Sequence, residues 1–373
     1  MSPPIRRKRG GNQRRDPVRR SCPVAEWPQL HREAWDRARQ PGDRLHPRAP
    51  ASRWAPRSVA KTEHGYGRFL TWLDREGNLA PDSAPGEGVT DRAVADYIDH
   101  LLAVGNSTQT AICRIEELYN ALRVMAPPGK KWRWLYQFVA QLKDEALPSP
   151  RRLAQEQHAK PKPLLDLGLA LMARAEAANN LTELQEAMMY RDGAIIALLA
   201  ARPIRIDNFA SLQMDHSFVG DGASYKIMLK ADETKNRRRL EYEVPAPLVP
   251  QINRYIDHYR PALTTCGSRY TPAVFDALWV SREGGPLSAQ SLRQAVNHRT
   301  LAAFGVAIPP HRFRDAAATD FADKDPAHAL AAASVLGNHP VTMRKYYNKS
   351  RGGAAHQRYH DAIDALRGMG RGK

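Results

Sequence analysis

The stretch RPIRIDNFASLQMDHSF, residues 202 to 218, follows an apolar helical run, LTELQEAMMYRDGAIIALLAA, and precedes two segments of strand-like alternation. Those segments, SYKIMLK and LEYEVP, flank the polar insert ADETKNRRR, a pattern that predicts a β-hairpin with a long basic loop. ALWVS, residues 277 to 281, is expected to add a third strand. The rest of this half reads as helices, so the segment from 164 to 373 is predicted to be an α+β domain with a small antiparallel sheet.

Upstream, the pattern changes. Tyr66, Phe69, Leu70 and Leu73 recur at helical spacing, as do Val94, Tyr97, Ile98, Leu101 and Leu102 after the N-cap candidate Thr90. Ile112, Ile115, Leu118, Tyr119 and Leu122 make a third stripe after Ser107, and Trp134, Leu135, Phe138 and Leu142 a fourth. Residues 55–146 are therefore expected to form a four-helix domain. Before it, residues 1–54 are rich in Arg, Pro and Gly and read as a flexible basic arm. Between the domains, LPSPRRLAQEQHAKPKP (residues 147–163) reads as an extended basic linker. The whole is expected to be mainly α.

Charge narrows the partner. The 373 residues hold 56 Lys and Arg against 39 Asp and Glu, a formal net charge of +17. The excess is not confined to the N-terminus, since basic residues recur in GKKWRW, KNRRR and TMRKYY, and this points to a polyanion such as DNA or RNA. The longest apolar run, AIIALLAA, falls far short of the roughly 20 residues that cross a bilayer. No secretory signal is legible at the N-terminus, so a cytoplasmic location without membrane contact is expected. Three scattered cysteines fit neither a disulfide framework nor a metal site.

Several catalytic templates are absent: no GxxxxGK[ST] phosphate loop, no HExxH helix, no GxSxG elbow. What remains is a series of basic and aromatic residues: Arg205, Lys235 in the hairpin loop, His311 and Arg314 in PPHRFRDAAATDFA (residues 309–322), and then SVLGNHPVTMRKYYN (residues 334–348). Singly each has an ordinary explanation, such as an Arg paired with Asp207 or a Tyr in a core. In this order and context they resemble the catalytic domain of the tyrosine recombinase (phage integrase) family. YGRFLTWLDREG and VTDRAVADYIDHLLAVGNS likewise resemble that family's core-binding domain.

The resemblance implies roles. Arg205 matches the first catalytic arginine, Lys235 the hairpin lysine, His311 and Arg314 the HxxR pair, and the last helix supplies a tyrosine nucleophile. Tyr347 is the expected nucleophile, with Tyr346 as the alternative. On a helix the two point about 100° apart, so only one can face the arginines. The family's LGH triplet reads Leu336, Gly337, Asn338, His339 here, so His339 is expected at the last phosphate contact, with Asn338 as the alternative. The family commonly has an acidic residue three after the first arginine, where this chain has Asn208.

By the same resemblance the protein is a site-specific DNA recombinase acting through a 3′-phosphotyrosyl intermediate, without metal, ATP or other cofactor. Double-stranded DNA at specific sites and a homotetramer on DNA are the implied partners, in the nucleoid. A terminal helix bearing Tyr359, Ile363 and Leu366 would pack on its own domain or on a neighbour. Two alternatives stand beside this: an accessory DNA-binding protein without strand exchange, and a relaxing activity like that of type IB topoisomerases.

Overall fold

The computed structural model describes residues 20–43, 47–126, 132–145, 149–234, 239–266 and 275–324. Contacts divide the chain into two units, Met1–Leu147 and Pro148–Lys373.

In the first unit, helix α1 (Gln29–Arg39) buries His31, Ala34, Trp35 and Ala38. These positions follow the i, i+3, i+4, i+7 rule of an amphipathic helix. Helices α2 (Pro56–Arg75), α3 (Asp91–Ala103), α4 (Thr108–Met125) and α5 (Arg133–Glu145) follow. Thr90 caps α3 by accepting from the Ala93 N–H, and Ser107 caps α4 through Thr110. The apolar stripes read from the sequence form the core: Tyr66, Phe69, Leu70, Leu73, Val94, Tyr97, Ile115 and Leu118 are all buried, whereas Leu102 is exposed.

The expected flexible arm over residues 1–54 is corrected from residue 20 onward. Trp27 sits edge-on to Tyr66 with ring centroids 5.0 Å apart, and the Trp35 indole N–H donates to Glu63 Oε1 at 2.8 Å. Arginine and proline dominate the composition, but indoles at Trp27, Trp35 and Trp54 supply enough apolar area to order the segment. Gly67 admits it: a Cβ there would lie 2.2 Å from the Cys22 carbonyl oxygen. Residues 1–19 of the arm lie outside the described residues.

The second unit opens with a further correction. Part of the expected extended linker is helix α6 (Pro150–His158), with Ser149 accepting from the Arg152 N–H and Pro150 at the first turn. Serine followed by proline is a helix start as well as a linker composition. The buried Gln155 donates its amide to the Ala307 carbonyl at 2.7 Å. Helices α7 (Pro161–Ala177) and α8 (Glu183–Ala201) follow, α8 opened by a Thr182–Gln185 capping box and buried along most of its length. They cross at Gly168 and Gly193, where a Cβ on Gly168 would lie 2.6 Å from the Ala197 nitrogen.

After the short α9 (Ile206–Ala210), strands β1 (Phe218–Gly220), β2 (Tyr225–Leu229) and β3 (Leu240–Glu243) form an antiparallel sheet in the order β1-β2-β3. Phe218, Ile227 and Tyr242 stand opposite one another and are buried, which defines the inner face. The expected hairpin is present, but its third strand is β1 and not residues 277–281. That segment makes only isolated bridges, Gln213 with Ala277 and Val280 with Pro286. Leu278, Trp279 and Val280 are all buried, so the run lacks the alternation of a one-sided strand. Between sheet and bridges run α10 (Val249–Arg254), a π turn at Tyr255–Tyr259 and α11 (Arg260–Cys266). Helices α12 (Ala289–Phe304) and α13 (Pro310–Lys324) end the described chain. No helix among the described residues is long and apolar enough to cross a membrane.

One buried carboxylate locks α8 to α12. Asp192 accepts from Arg191 at 2.6 and 3.1 Å and from Arg299 at 2.9 Å, while Arg191 also donates to the Val280 carbonyl. Next to Arg299, the Thr300 hydroxyl accepts from the Ile308 N–H at 2.9 Å and so sets the entry into α13.

Two substitutions test this frame. Gly168→Ala should destabilise the protein by about 1–3 kcal/mol in urea unfolding, because its methyl group meets helix backbone. Asp192→Asn should cost more, about 3–5 kcal/mol, since it leaves the buried guanidinium group of Arg191 and the partly buried one of Arg299 without their counter-charge.

Candidate active site

Arg205 stands at the N-cap of α9, in extended conformation, at the end of a four-residue turn leaving α8. That turn, Arg202 to Arg205, is held from two sides. Arg202 donates through Nε to the Glu243 carbonyl of β3 at 2.8 Å and through Nη1 to the Ala201 carbonyl at 2.9 Å. From the other side Arg314 on α13 donates through Nη1 to the Pro203 carbonyl. The end of β3, the α8–α9 turn and the start of α13 therefore meet, and Arg205 and Arg314 are brought to one place.

Tyr242 registers this charge. Burial pushes its phenol above the usual value, while the guanidinium groups of Arg314 and Arg205 both act in the opposite direction. Both arginines are half-buried. Guanidinium groups are planar forks of N–H donors, a shape that suits phosphate oxygens.

His311 lies three residues before Arg314 on α13, hence on the same helix face. Partial withdrawal from solvent lowers its pKa below the ordinary 6.5, and Arg312 and Arg293 lower it further against the opposing pull of Asp315. Its accessible surface is that of an exposed residue, which limits the desolvation share. Neutral imidazole is the form that accepts a proton. Arg312 points elsewhere: it pairs with Asp315 at 3.0 Å and with Glu156 of α6 at 3.7 Å. In HRFR the first arginine thus fastens the helix to α6, and the second reaches the Pro203 carbonyl.

Of the residues expected from the sequence, Arg205, His311 and Arg314 are described and come from neighbouring elements. Lys235, Asn338, His339, Tyr346 and Tyr347, and the terminal helix with Tyr359, Ile363 and Leu366, lie outside the described residues. Asp207, beside Asn208, is exposed. Sequence reasoning missed Arg202 and Tyr242. The first carried a signal, an arginine directly after the last helical residue, where free carbonyls collect. The second carried none beyond strand alternation. Among the described residues no group of three or more His, Cys, Asp or Glu side chains is arranged to hold a metal.

No protein-family model and no curated protein matches the chain. Among solved structures it is similar to XerA recombinase, at 16% identity over 83% of this chain and 94% of that one, with a TM-score of 0.36. It is also similar to the Tn1549 transposon integrase in complex with circular intermediate DNA, at 12% identity over 82% of this chain and 95% of that one, TM-score 0.47. The same integrase with transposon right end DNA aligns at 13% identity over 79% of this chain and 93% of that one, TM-score 0.46.

Proposed function

We propose that the protein is a site-specific DNA recombinase of the tyrosine recombinase type, which cuts and rejoins double-stranded DNA through a covalent 3′-phosphotyrosyl intermediate. The observation that carries the reading is the meeting of Arg205 and Arg314 around the Pro203 turn, with His311 one helical turn before Arg314. The net charge of +17 supports DNA as the substrate.

In this mechanism the two guanidinium groups hold the non-bridging oxygens of the scissile phosphate and stabilise the added charge of the pentavalent transition state. The Tyr347 oxygen attacks phosphorus as His311 takes its proton. The bond to the 5′-oxygen breaks, and Lys235 supplies the proton to that leaving group. His339 donates a further hydrogen bond to the phosphate. The phosphotyrosyl bond retains the energy of the broken phosphodiester, so a 5′-hydroxyl from another strand reverses the step without ATP. Strand exchange between two sites requires four protomers, two per site. No metal ion or cofactor enters the scheme.

Covalent trapping tests the class. Purified protein mixed with nicked duplex from the flanks of its own gene should give a denaturant-resistant protein–DNA adduct, lost in Tyr347→Phe and kept in Tyr346→Phe. Loss in Tyr346→Phe alone would move the nucleophile by one residue. Absence of any adduct on DNA that the protein binds specifically would leave a binding protein.

The pH profile of adduct formation tests His311. Its lowered pKa keeps the imidazole neutral at pH 7, so the rate should be level there and fall as the pH drops below 6.5. His311→Gln should lose that acid limb and slow cleavage by roughly 10²–10⁴.

A further inference from the structure

A second cationic feature lies in the first unit, apart from every residue that takes part in the proposed strand cleavage. Between α2, α3 and the chain entering at Arg20 is a recess lined by Arg20, Arg68, Arg75, His100, Asn106 and Tyr97. Its enclosed volume is about 10 Å³, room for about one water-sized oxygen. Tyr97 in this lining is 1% exposed, and its ring packs edge-on to Phe69 at 5.2 Å and tilted on Trp72 at 5.1 Å. The Tyr97 hydroxyl has no hydrogen-bond partner among the described residues.

A buried hydroxyl without a partner is costly, and its persistence calls for an explanation. The wall says what kind of partner is missing. Arg20, Arg68 and Arg75 are donor-only groups, and no carboxylate lines the recess among the described residues. Arg20 already pairs with Glu26, and the Asn106 amide N–H is directed to the Leu101 carbonyl. Thr71 also lines the recess, but its hydroxyl is engaged with the Cys22 N–H and the Gly67 carbonyl, so the wall is rich in positive charge and holds no carboxylate among the described residues.

We propose that this recess is a binding site for one oxygen of a phosphate group, and that the phosphate belongs to a nucleic-acid backbone. The oxygen enters to accept from Tyr97, and the rest of the group stays at the mouth against the arginines. The size favours a chain phosphate over a free ion: the recess admits one oxygen, so affinity has to come from neighbouring phosphates along a polymer. Electrostatics agree. Burial pushes the Tyr97 phenol up, and the Arg114 and Arg68 guanidinium groups pull it back, while Glu117, the ion-pair partner of Arg114, acts with burial. The proposal rests on the nucleic-acid reading of the chain's charge and not on the tyrosine chemistry.

The test uses the full chain, wild type beside Tyr97→Phe and Arg75→Gln. Binding to a short duplex of arbitrary sequence is followed by fluorescence anisotropy across a range of KCl, with melting curves recorded for each protein. Arg75 is exposed, so its substitution leaves the fold intact. Arg75→Gln should reduce the slope of log K against log salt by about 1, the signature of one lost phosphate contact. Tyr97→Phe should weaken binding roughly tenfold, the loss of one hydrogen bond to a charged oxygen, while the slope stays near that of wild type. Its Tm without DNA should equal or exceed that of wild type, because no internal hydrogen bond is removed; a lowered Tm would mark a structural hydroxyl and overturn the proposal.

Duplex binding unchanged in both variants would also overturn it and leave the recess as a water site. If inorganic phosphate raised the Tm of wild type but not of Tyr97→Phe while duplex affinity stayed equal, the ligand would be the free ion and the nucleic-acid source would fall. Normal duplex binding without a covalent adduct would remove the recombinase reading and leave this site standing.

Discussion

The carbonyl group of Pro203 is where the second unit is fixed. Helix α8 ends at Ala201, and the last carbonyls of any helix carry partial negative charge and lack partners within it. Here arginines supply the partners. Arg202 turns back to the Ala201 carbonyl, and Arg314 crosses from α13 to Pro203. The helix end that gathers these cations also lowers the cost of holding Arg205 and Arg314 close together. In the proposed mechanism the phosphate site is then assembled before the phosphate arrives. That is electrostatic preorganisation in its usual sense, because no reorientation of dipoles is left for the reaction step.

The rest of the unit serves this junction. Asp192 sits ten residues before the turn and fixes α12, whose Thr300 delivers the chain into α13, so both arginines inherit their positions from one buried carboxylate and one hydroxyl. The sheet contributes through β3, where Glu243 gives its carbonyl to Arg202 and Tyr242 closes the inner face below the pair.

Much of this was legible in the sequence, and the gaps have physical causes. The four stripes of α2 to α5 and the β2–β3 hairpin announce themselves through large aliphatic and aromatic residues at strict spacing. Helix α1 does not, because its buried face is His31, Ala34, Trp35 and Ala38, two of them small and one polar, with a single large ring among them. Helix α6 was hidden by composition, its capping serine and first-turn proline being the residues that also mark linkers. Arg205, His311 and Arg314 are singled out by their order along the chain, and the fold brings their elements, the α8–α9 turn and α13, together. Arg202 and Tyr242 owe their place to tertiary contacts with β3 and with the turn, for which no local spacing exists.

The segment after the boundary between the units carries a different kind of consequence. Gln155 and Glu156 of α6 grip the chain on either side of the start of α13, one at the Ala307 carbonyl and the other at Arg312. Spacers tolerate added or deleted residues because nothing reads their phase. A single residue inserted within Pro150–His158 would turn both side chains by about 100° and carry them off their partners. The stretch that resembles a tether in composition thus has the length tolerance of a core helix, and evolution can vary the spacing between the units only outside it.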